Sequence, residues 1–248
     1  MAHPFFAASR PLVFAHRGGS ALAPENTLEA FDNGLALGAD GVELDVHLSR
    51  DGIVVVHHDR TLERTTRLSG PVHDQMAADL AGAGVPSLDQ VLSRCRDRRI
   101  IIEMKMNSAE LARATVDAVR RASAQDRVCL GSFGLRVLRA ARALAPEIAT
   151  SAAREEVRWA LYRSWCGLRP SIRVAYGGYQ VPEWVGRTRL VSPRFVDLAH
   201  RRELRVQVWT VDTAADASRL IDWGVDALIT DRPDVIVPVV TRNLKPKI

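Results

Sequence analysis

The chain has 248 residues, of which 47% are hydrophobic and 25% charged, and its formal net charge is +5. The length suits one complete α/β barrel of about 250 residues, and the composition is ordinary for a soluble globular protein. A basic balance can indicate nucleic acid, an anionic membrane surface or phosphorylated small molecules as partners. Because the sequence has no run of Lys and Arg with interleaved aromatic residues, nucleic acid is not expected.

The cysteines and the N-terminus predict a cytoplasmic protein. The three cysteines are odd in number and have no CxxC spacing, so they are expected to be reduced packing residues. Residues 1–11 lack the basic segment and apolar core of a signal peptide. No segment has the ~20 apolar residues that a membrane span needs. The expected location is the cytoplasm, with peripheral membrane contact as an alternative, and the oligomeric state stays open.

Short apolar segments alternate with longer segments of helical period. The eight predicted strands are 12–15, 42–46, 100–104, 128–131, 148–151, 174–180, 206–211 and 227–230. The predicted helices between them are 27–37, 108–122, 134–144, 192–202 and 213–223. Strands that alternate with helices form βαβ units, and eight units predict closure into a (β/α)₈ TIM barrel. Residues 1–248 are expected to form this single domain.

One segment interrupts the alternation. Residues 46–58 predict a β-hairpin with its turn at Asp51 and Gly52, and a hairpin cannot belong to a parallel barrel wall. Residues 59–86 have poor periodicity, and a helix is expected to begin near Ser87. We therefore predict a small inserted subdomain above the barrel mouth, over about residues 51–86.

Three carboxylates end apolar strands and are predicted to face one mouth of the barrel. Glu43 and Asp45 share a strand face, and Glu103 ends the next barrel strand. The C-terminal ends of barrel strands are where active sites form. Uncompensated carboxylates would repel one another, and such hard oxygen ligands suit Mg²⁺ or Ca²⁺ better than zinc. The alternative is a buried ion-pair network with Arg17 and Lys105.

Two histidines end different strands that face the same mouth. His16 ends the first strand and His58 ends the returning strand of the hairpin. A pair of histidines beside carboxylates and cations suits general acid and base catalysis. His57 is expected to point away from His58, into packing or to the surface, and His47 is expected to be exposed on the hairpin.

Eight motifs follow one another along the chain. They are AHRGGSALAPENTLEAF (15–31), GADGVELDV (38–46), VVVHHDRTLERTT (54–66), VPSLDQVL (85–92), IIEMK (101–105), GSF (131–133), VWTVD (208–212) and DALITDRPD (226–234). In sequence and spacing they resemble the glycerophosphodiester phosphodiesterase family, from about residue 11 to residue 238. The resemblance implies an α/β barrel with a small insertion that hydrolyses a small-molecule phosphodiester.

The resemblance also implies roles for individual residues. It implies that Glu43, Asp45 and Glu103 are metal ligands, and that His16 and His58 are the acid–base pair. The other implied site residues are Arg17 and Lys105, which would contact the phosphate, and Trp209, which would form an aromatic wall against the glycerol.

Two positions carry smaller implications. Asn26, in the first motif, is expected to cap or brace the first loop. Asp212 stands where the family more often has Asn, which changes a loop position without touching an implied catalytic role. The nucleophile could be the neighbouring hydroxyl of the glycerol or a water molecule, and the sequence does not assign the acid and base roles.

Two other functions remain open from the sequence. Some relatives act as lysophospholipase D, and residues 154–174 carry aromatic residues near helical spacing with arginines around them. The apolar stripe is Trp159, Tyr162, Trp165 and Cys166, and the arginines are Arg154, Arg158, Arg163 and Arg169. A barrel helix can equally bury such residues against the strands, so exposure of the tryptophans separates the two interpretations. A non-catalytic phosphate-binding barrel is disfavoured because every implied catalytic position is filled.

Overall fold

The computed structural model describes residues 3–165 and 174–243, together with the side chains of these residues except those at 163–165. Its strands are β1 (Leu12–His16), β2 (Gly41–Leu48), β3 (Val54–Val56), β4 (Arg99–Met104), β5 (Val128–Gly131), β6 (Ala149–Thr150), β7 (Gly178–Pro182), β8 (Trp184–Val185), β9 (Thr188–Arg189), β10 (Arg205–Trp209) and β11 (Ala227–Thr230). Its helices are α1 (Leu28–Ala36), α2 (Ala77–Gly82), α3 (Leu88–Arg94), α4 (Ala109–Arg121), α5 (Leu135–Leu144), α6 (Arg154–Trp165), α7 (Pro193–His200), α8 (Ala214–Asp222) and α9 (Pro233–Asn243).

Eight parallel strands form the barrel wall within the described ranges. Their order around the wall is β6, β5, β4, β2, β1, β11, β10 and β7. Ser151, directly after β6, forms a parallel bridge with Gly178 at the start of β7, which joins the two ends of the sheet. Because a helix follows each of these strands before the next one begins, the predicted (β/α)₈ architecture is confirmed.

The helices begin where the sequence supplies a capping side chain. Thr27, Ser108, Ser192 and Thr213 each accept a hydrogen bond from the backbone N–H three residues further on. A cap of this kind stabilises a helix by about 1 kcal/mol. The apolar faces of these helices pack on the outside of the sheet and leave its inner face to line the barrel.

Aromatic side chains close the N-terminal end of the barrel. Phe5 and Phe6 from the short helix before β1 pack edge to face, with ring centroids 5.0 Å apart. Phe5 also stacks on Phe14 of β1, and the cluster extends to Ile101 of β4. This end of the barrel is therefore a packed apolar floor, and the polar residues of the strands gather at the opposite, C-terminal end.

The segment between β2 and α3 rises above that end. Strands β2 and β3 form an antiparallel hairpin, in which Val46 pairs with Val56. The segment has its own small apolar cluster, which consists of Val55, Leu62, Val72, Leu80 and Val85. Helix α3 then begins with a capping box between Ser87 and Gln90.

His47 of the hairpin is buried, so the expectation that it would be exposed is wrong. Only 4% of its surface is accessible, and its Nε2 lies 3.1 Å from the carbonyl oxygen of His58. Burial lowers the pKa of His47 to about 4, which keeps the ring neutral. The reason is tertiary, because the chain that follows β3 returns to His47 and places the backbone of His58 against its ring.

The cysteines that the structure describes act as packing residues. Cys95 and Cys129 are free and buried, whereas Cys166 lies outside the described residues. Among the described helices, none combines the length and apolar character that a bilayer crossing requires.

Candidate active site

Strand register brings the three predicted metal ligands together. Glu43 of β2 pairs with His16 of β1, and Asp45 of β2 pairs with Glu103 of β4. Since parallel strands in register carry neighbouring side chains on the same face, all four residues point into the barrel mouth. One carboxylate oxygen each from Glu43, Asp45 and Glu103 lies within 4.8 Å of the others.

Burial makes it costly to ionise all three carboxylates of this cluster. Burial together with the charge of Asp45 raises the pKa of Glu43 to about 8. Burial also raises the pKa of Glu103. Burial opposes ionisation of Asp45 as well, but the neighbouring Lys105 and Arg17 lower its pKa below the ordinary value. The cluster thus carries more negative charge than its protein surroundings stabilise.

The ion-pair network considered as the alternative is present but incomplete. Lys105 Nζ lies 3.2 Å from Asp45 Oδ1 and 3.4 Å from Glu103 Oε1. Among the residues that the structure describes, the buried oxygen Asp45 Oδ1 has no hydrogen-bond partner. Glu43 accepts a long hydrogen bond, of 3.3 Å, from the backbone N–H of Arg17. Buried carboxylate oxygens with unused lone pairs fit a divalent cation.

His16 is held by a carboxylate that the sequence interpretation missed. Its Nδ1 lies 2.6 Å from Asp231 Oδ1, and the hydroxyl of Ser20 donates a hydrogen bond of 2.5 Å to the same oxygen. Its Nε2 lies 3.7 Å from Glu43 Oε2 and so faces the cluster. Burial lowers the pKa of His16, but Glu43 and Asp231 outweigh burial and raise it above the ordinary value.

His58 has a similar carboxylate partner. Its Nδ1 lies 2.6 Å from Oδ1 of the adjacent Asp59. Burial lowers the pKa of His58 against the opposing charges of Asp45 and Asp59. His57 turns the other way, as expected, and its buried ring lies 2.9 Å from both the Asp59 carbonyl oxygen and the Thr65 hydroxyl.

The two predicted phosphate-contacting cations flank Asp45. Arg17 Nε lies 3.2 Å from Asp45 Oδ2, on the side opposite the Lys105 contact to Oδ1. The backbone at Arg17 is left-handed, with φ of 51°, and the next residue, Gly18, has φ of 89°. A Cβ at Gly18 would come within 2.6 Å of Ala30, so glycine lets this loop lie against α1.

Asn26 does more than brace its own loop. Its side-chain N–H donates a hydrogen bond of 3.0 Å to Asp45 Oδ2, which fixes the orientation of a predicted metal ligand. Such partners of ligating carboxylates tune metal sites.

The signal for Asp231 was available in the sequence, because the last strand of a closed barrel pairs with the first. Ala15 and Thr230 are in register, so Asp231 follows directly beside His16.

A cavity of about 820 Å³ opens above these residues. The residues of the candidate site that line it are His16, Arg17, Glu43, His58, Glu103 and Lys105. Trp209 lines the same cavity and contacts Phe133 edge to face, with ring centroids 6.1 Å apart. Helix α6 and the segment of β8 and β9 also line the cavity, with the apolar residues Val157, Leu161, Val185 and Leu190 and the basic residues Arg154 and Arg158.

The chain is similar to a known family along nearly its whole length. The profile of the glycerophosphoryl diester phosphodiesterase family matches residues 16–235. A glycerophosphodiester phosphodiesterase of Caldanaerobacter subterraneus subsp. tengcongensis is 30% identical over 254 residues, which cover 94% of this chain and 99% of that protein. The protein named probable glycerophosphodiester phosphodiesterase 2 of Mycobacterium tuberculosis is 34% identical over 241 residues, covering 91% of this chain and 89% of that protein.

A solved structure shares the fold. An Oleispira antarctica phosphodiesterase, in complex with the product sn-glycerol-3-phosphate, superimposes with a TM-score of 0.77 at 27% sequence identity. The superposition covers 94% of this chain and 97% of that one.

Proposed function

This chain belongs to the glycerophosphoryl diester phosphodiesterase family, and on that premise we propose that it hydrolyses glycerophosphodiesters to an alcohol and glycerol 3-phosphate. The observation that carries the proposal is the convergence, at one barrel mouth, of three carboxylates, two carboxylate-paired histidines and two cations. The product in the Oleispira antarctica complex, sn-glycerol-3-phosphate, supports the same reaction class.

Glu43, Asp45 and Glu103 would hold Mg²⁺ or Ca²⁺. Their oxygens lie within 4.8 Å of one another, and all three are hard oxygen ligands. When bound, the cation supplies Lewis-acid neutralisation of the phosphodiester oxygens. Asn26 keeps Asp45 oriented through its hydrogen bond to Oδ2.

The side chains of the protein bind the substrate and transfer its protons. Arg17 and Lys105 already lie against the cluster, where they neutralise charge on the phosphodiester in the transition state. His16 and His58 have Nδ1 engaged by carboxylates, so Nε2 is the nitrogen that exchanges protons with the substrate. One histidine deprotonates the nucleophile and the other protonates the leaving alcohol, and Trp209 packs against the glycerol.

The nucleophile has two candidates. The neighbouring hydroxyl of the glycerol would give a cyclic phosphate that water then opens, and water could instead attack directly. In both routes one proton leaves the nucleophile and one reaches the leaving oxygen, so the two histidines serve either route equally.

A substrate panel tests the proposed function. Glycerophosphocholine, glycerophosphoethanolamine and lysophosphatidylcholine are each incubated with enzyme in Mg²⁺, in Ca²⁺ and in EDTA. We expect turnover of the two water-soluble diesters with a divalent cation and none in EDTA. Enzyme that is folded and cation-loaded but cleaves none of the three would refute the proposal.

A second candidate substrate class is the lysophospholipids, cleaved at a membrane surface. Val157, Leu161, Val185 and Leu190 line the same cavity as Trp209, and these apolar side chains could hold a hydrocarbon chain carried by the glycerol. Trp159 of α6 is 65% exposed and contacts the exposed Tyr162 edge to face. Packing against the barrel would have buried Trp159, and exposed aromatic residues beside arginines favour peripheral contact with an anionic membrane. The side chains of Arg163 and Trp165, and the residues Cys166 and Arg169, lie outside the described part of the chain.

Co-sedimentation with anionic vesicles tests the membrane contact. At low salt we expect wild type to pellet with the vesicles, because electrostatic attraction is then strongest. A Trp159→Ala, Tyr162→Ala double variant should lose most of this binding. Leu37→Ala is the matched control, since Leu37 is an exposed apolar residue at the end of α1. Wild type that stays in the supernatant, or a double variant that binds equally well, would remove the membrane contact and leave the water-soluble diesters as substrates.

A further inference from the structure

A chain of ion pairs links His58 to the loop after β1. Asp59 lies 2.6 Å from His58 Nδ1 through Oδ1, and its other oxygen, Oδ2, accepts a hydrogen bond of 2.5 Å from Arg64 Nε. The remaining two nitrogens of Arg64 donate hydrogen bonds of 2.7 Å each to the two oxygens of Glu25. Glu25 also accepts a hydrogen bond of 3.1 Å from Arg17.

This geometry constrains the imidazole ring. A carboxylate can only accept a hydrogen bond, so Asp59 holds the ring proton of neutral His58 on Nδ1 and leaves Nε2 as the acceptor. Asp59 itself lies in an irregular segment, where its orientation depends on its contacts. The planar guanidinium of Arg64 binds carboxylates on two edges at once and so fixes Asp59 against Glu25.

We propose that Glu25, Arg64 and Asp59 form a brace that sets the ring orientation and tautomer of His58. The three are positioning residues, because they act on the substrate through His58. Glu25 is shared with Arg17, so the brace also fixes His58 relative to a residue that contacts the phosphate. The inference rests on the proposed function, which gives His58 a proton-transfer role.

A purely structural role for Arg64 predicts a different outcome. Its side chain is 48% exposed, and exposed ion pairs contribute little to stability. Loss of Arg64 should therefore leave the melting temperature nearly unchanged and lower turnover. A structural role would instead lower stability and leave the turnover of folded enzyme intact.

The test compares Asp59→Asn and Arg64→Ala with wild type. Arg67→Ala is the matched control, because Arg67 is exposed in the same segment and takes part in no ion pair among the described residues. We expect kcat to fall by about 100-fold in Asp59→Asn and about 10-fold in Arg64→Ala, with KM within threefold of wild type. Added methylguanidinium should restore part of the rate in Arg64→Ala and leave Arg67→Ala unaffected. Changes of less than twofold in kcat in both variants would overturn the brace.

NMR of histidine-labelled enzyme gives a readout that does not depend on turnover. The His58 signals are assigned by their loss in His58→Gln. We expect wild type at a pH where His58 is neutral to carry the proton on Nδ1, and Asp59→Asn to shift it toward Nε2. An unchanged tautomer in Asp59→Asn would overturn the proposal even if the enzyme is active. If no substrate is cleaved but the tautomer shifts, the proposed function fails and the brace stands.

Discussion

Removal of divalent cations with EDTA is expected to lower turnover of glycerophosphodiesters by at least ~10³-fold, and Mg²⁺ or Ca²⁺ should restore it. A cation that neutralises the phosphodiester contributes several kcal/mol to the transition state, and ~4 kcal/mol corresponds to that factor. The measurement is the initial rate after exhaustive dialysis against chelator, with and without added metal. Full turnover after chelation would show that the three carboxylates have another role.

Cation binding should also appear in the stability of the protein. A cation at about 100 times its Kd stabilises the folded state by about 2.7 kcal/mol, which raises Tm by roughly 5–10 °C for a chain of this size. Glu43→Gln is the informative variant, because burial already raises the pKa of Glu43 to about 8 and glutamine resembles the protonated acid. The variant should fold, lose most of the cation-dependent rise in Tm and lose activity. An equal rise in the variant would exclude Glu43 as a ligand.

His16→Ala and His58→Ala should each lower kcat by at least ~10²-fold while the fold remains intact. Each substitution removes one of the two proposed proton-transfer partners, and general acid or base catalysis contributes about 10²–10⁴ in rate. The measurement is kcat with Tm and circular dichroism as checks on folding. A rate near that of wild type in either variant would show that the residue is not a proton-transfer group.

His57→Ala tests whether His58, and not the adjacent His57, is the histidine that acts at the barrel mouth. The buried ring of His57 contacts the Asp59 carbonyl and Thr65, so the substitution should lower Tm. Turnover per folded molecule should stay within about tenfold of wild type. A loss as large as that of His58→Ala would mean that the two adjacent histidines have exchanged roles.

The barrel could be predicted because each of its units is signalled locally. The predicted strands 128–131 and 227–230 have the observed bounds of β5 and β11, since apolar residues on both faces of a buried strand give an unbroken run. The positions of Glu43 and Asp45 could be predicted as well, because both residues occupy one face of β2 and the fold places that face at the mouth. Local pattern and barrel geometry together therefore indicate which side chains converge.

Features that depend on distant contacts were not predictable in the same way. The burial of His47 depends on residues of the inserted segment, whose short helix Ala77–Gly82 gives too few turns for a helical period. The hairpin of β8 and β9 has two-residue strands, which show no alternation, although Val185 lines the cavity. The exposure of Trp159 is likewise set by which face of α6 meets the barrel.

The most direct test of metal-dependent hydrolysis at this site follows glycerophosphocholine by phosphorus NMR with cation-loaded enzyme. The account predicts that the diester signal is replaced by that of sn-glycerol 3-phosphate, with or without a transient cyclic phosphate. The same sample made with the His16→Ala, His58→Ala double variant should show only the diester over the same period. An unchanged diester signal with folded, cation-loaded wild type, or equal conversion by the double variant, would contradict it.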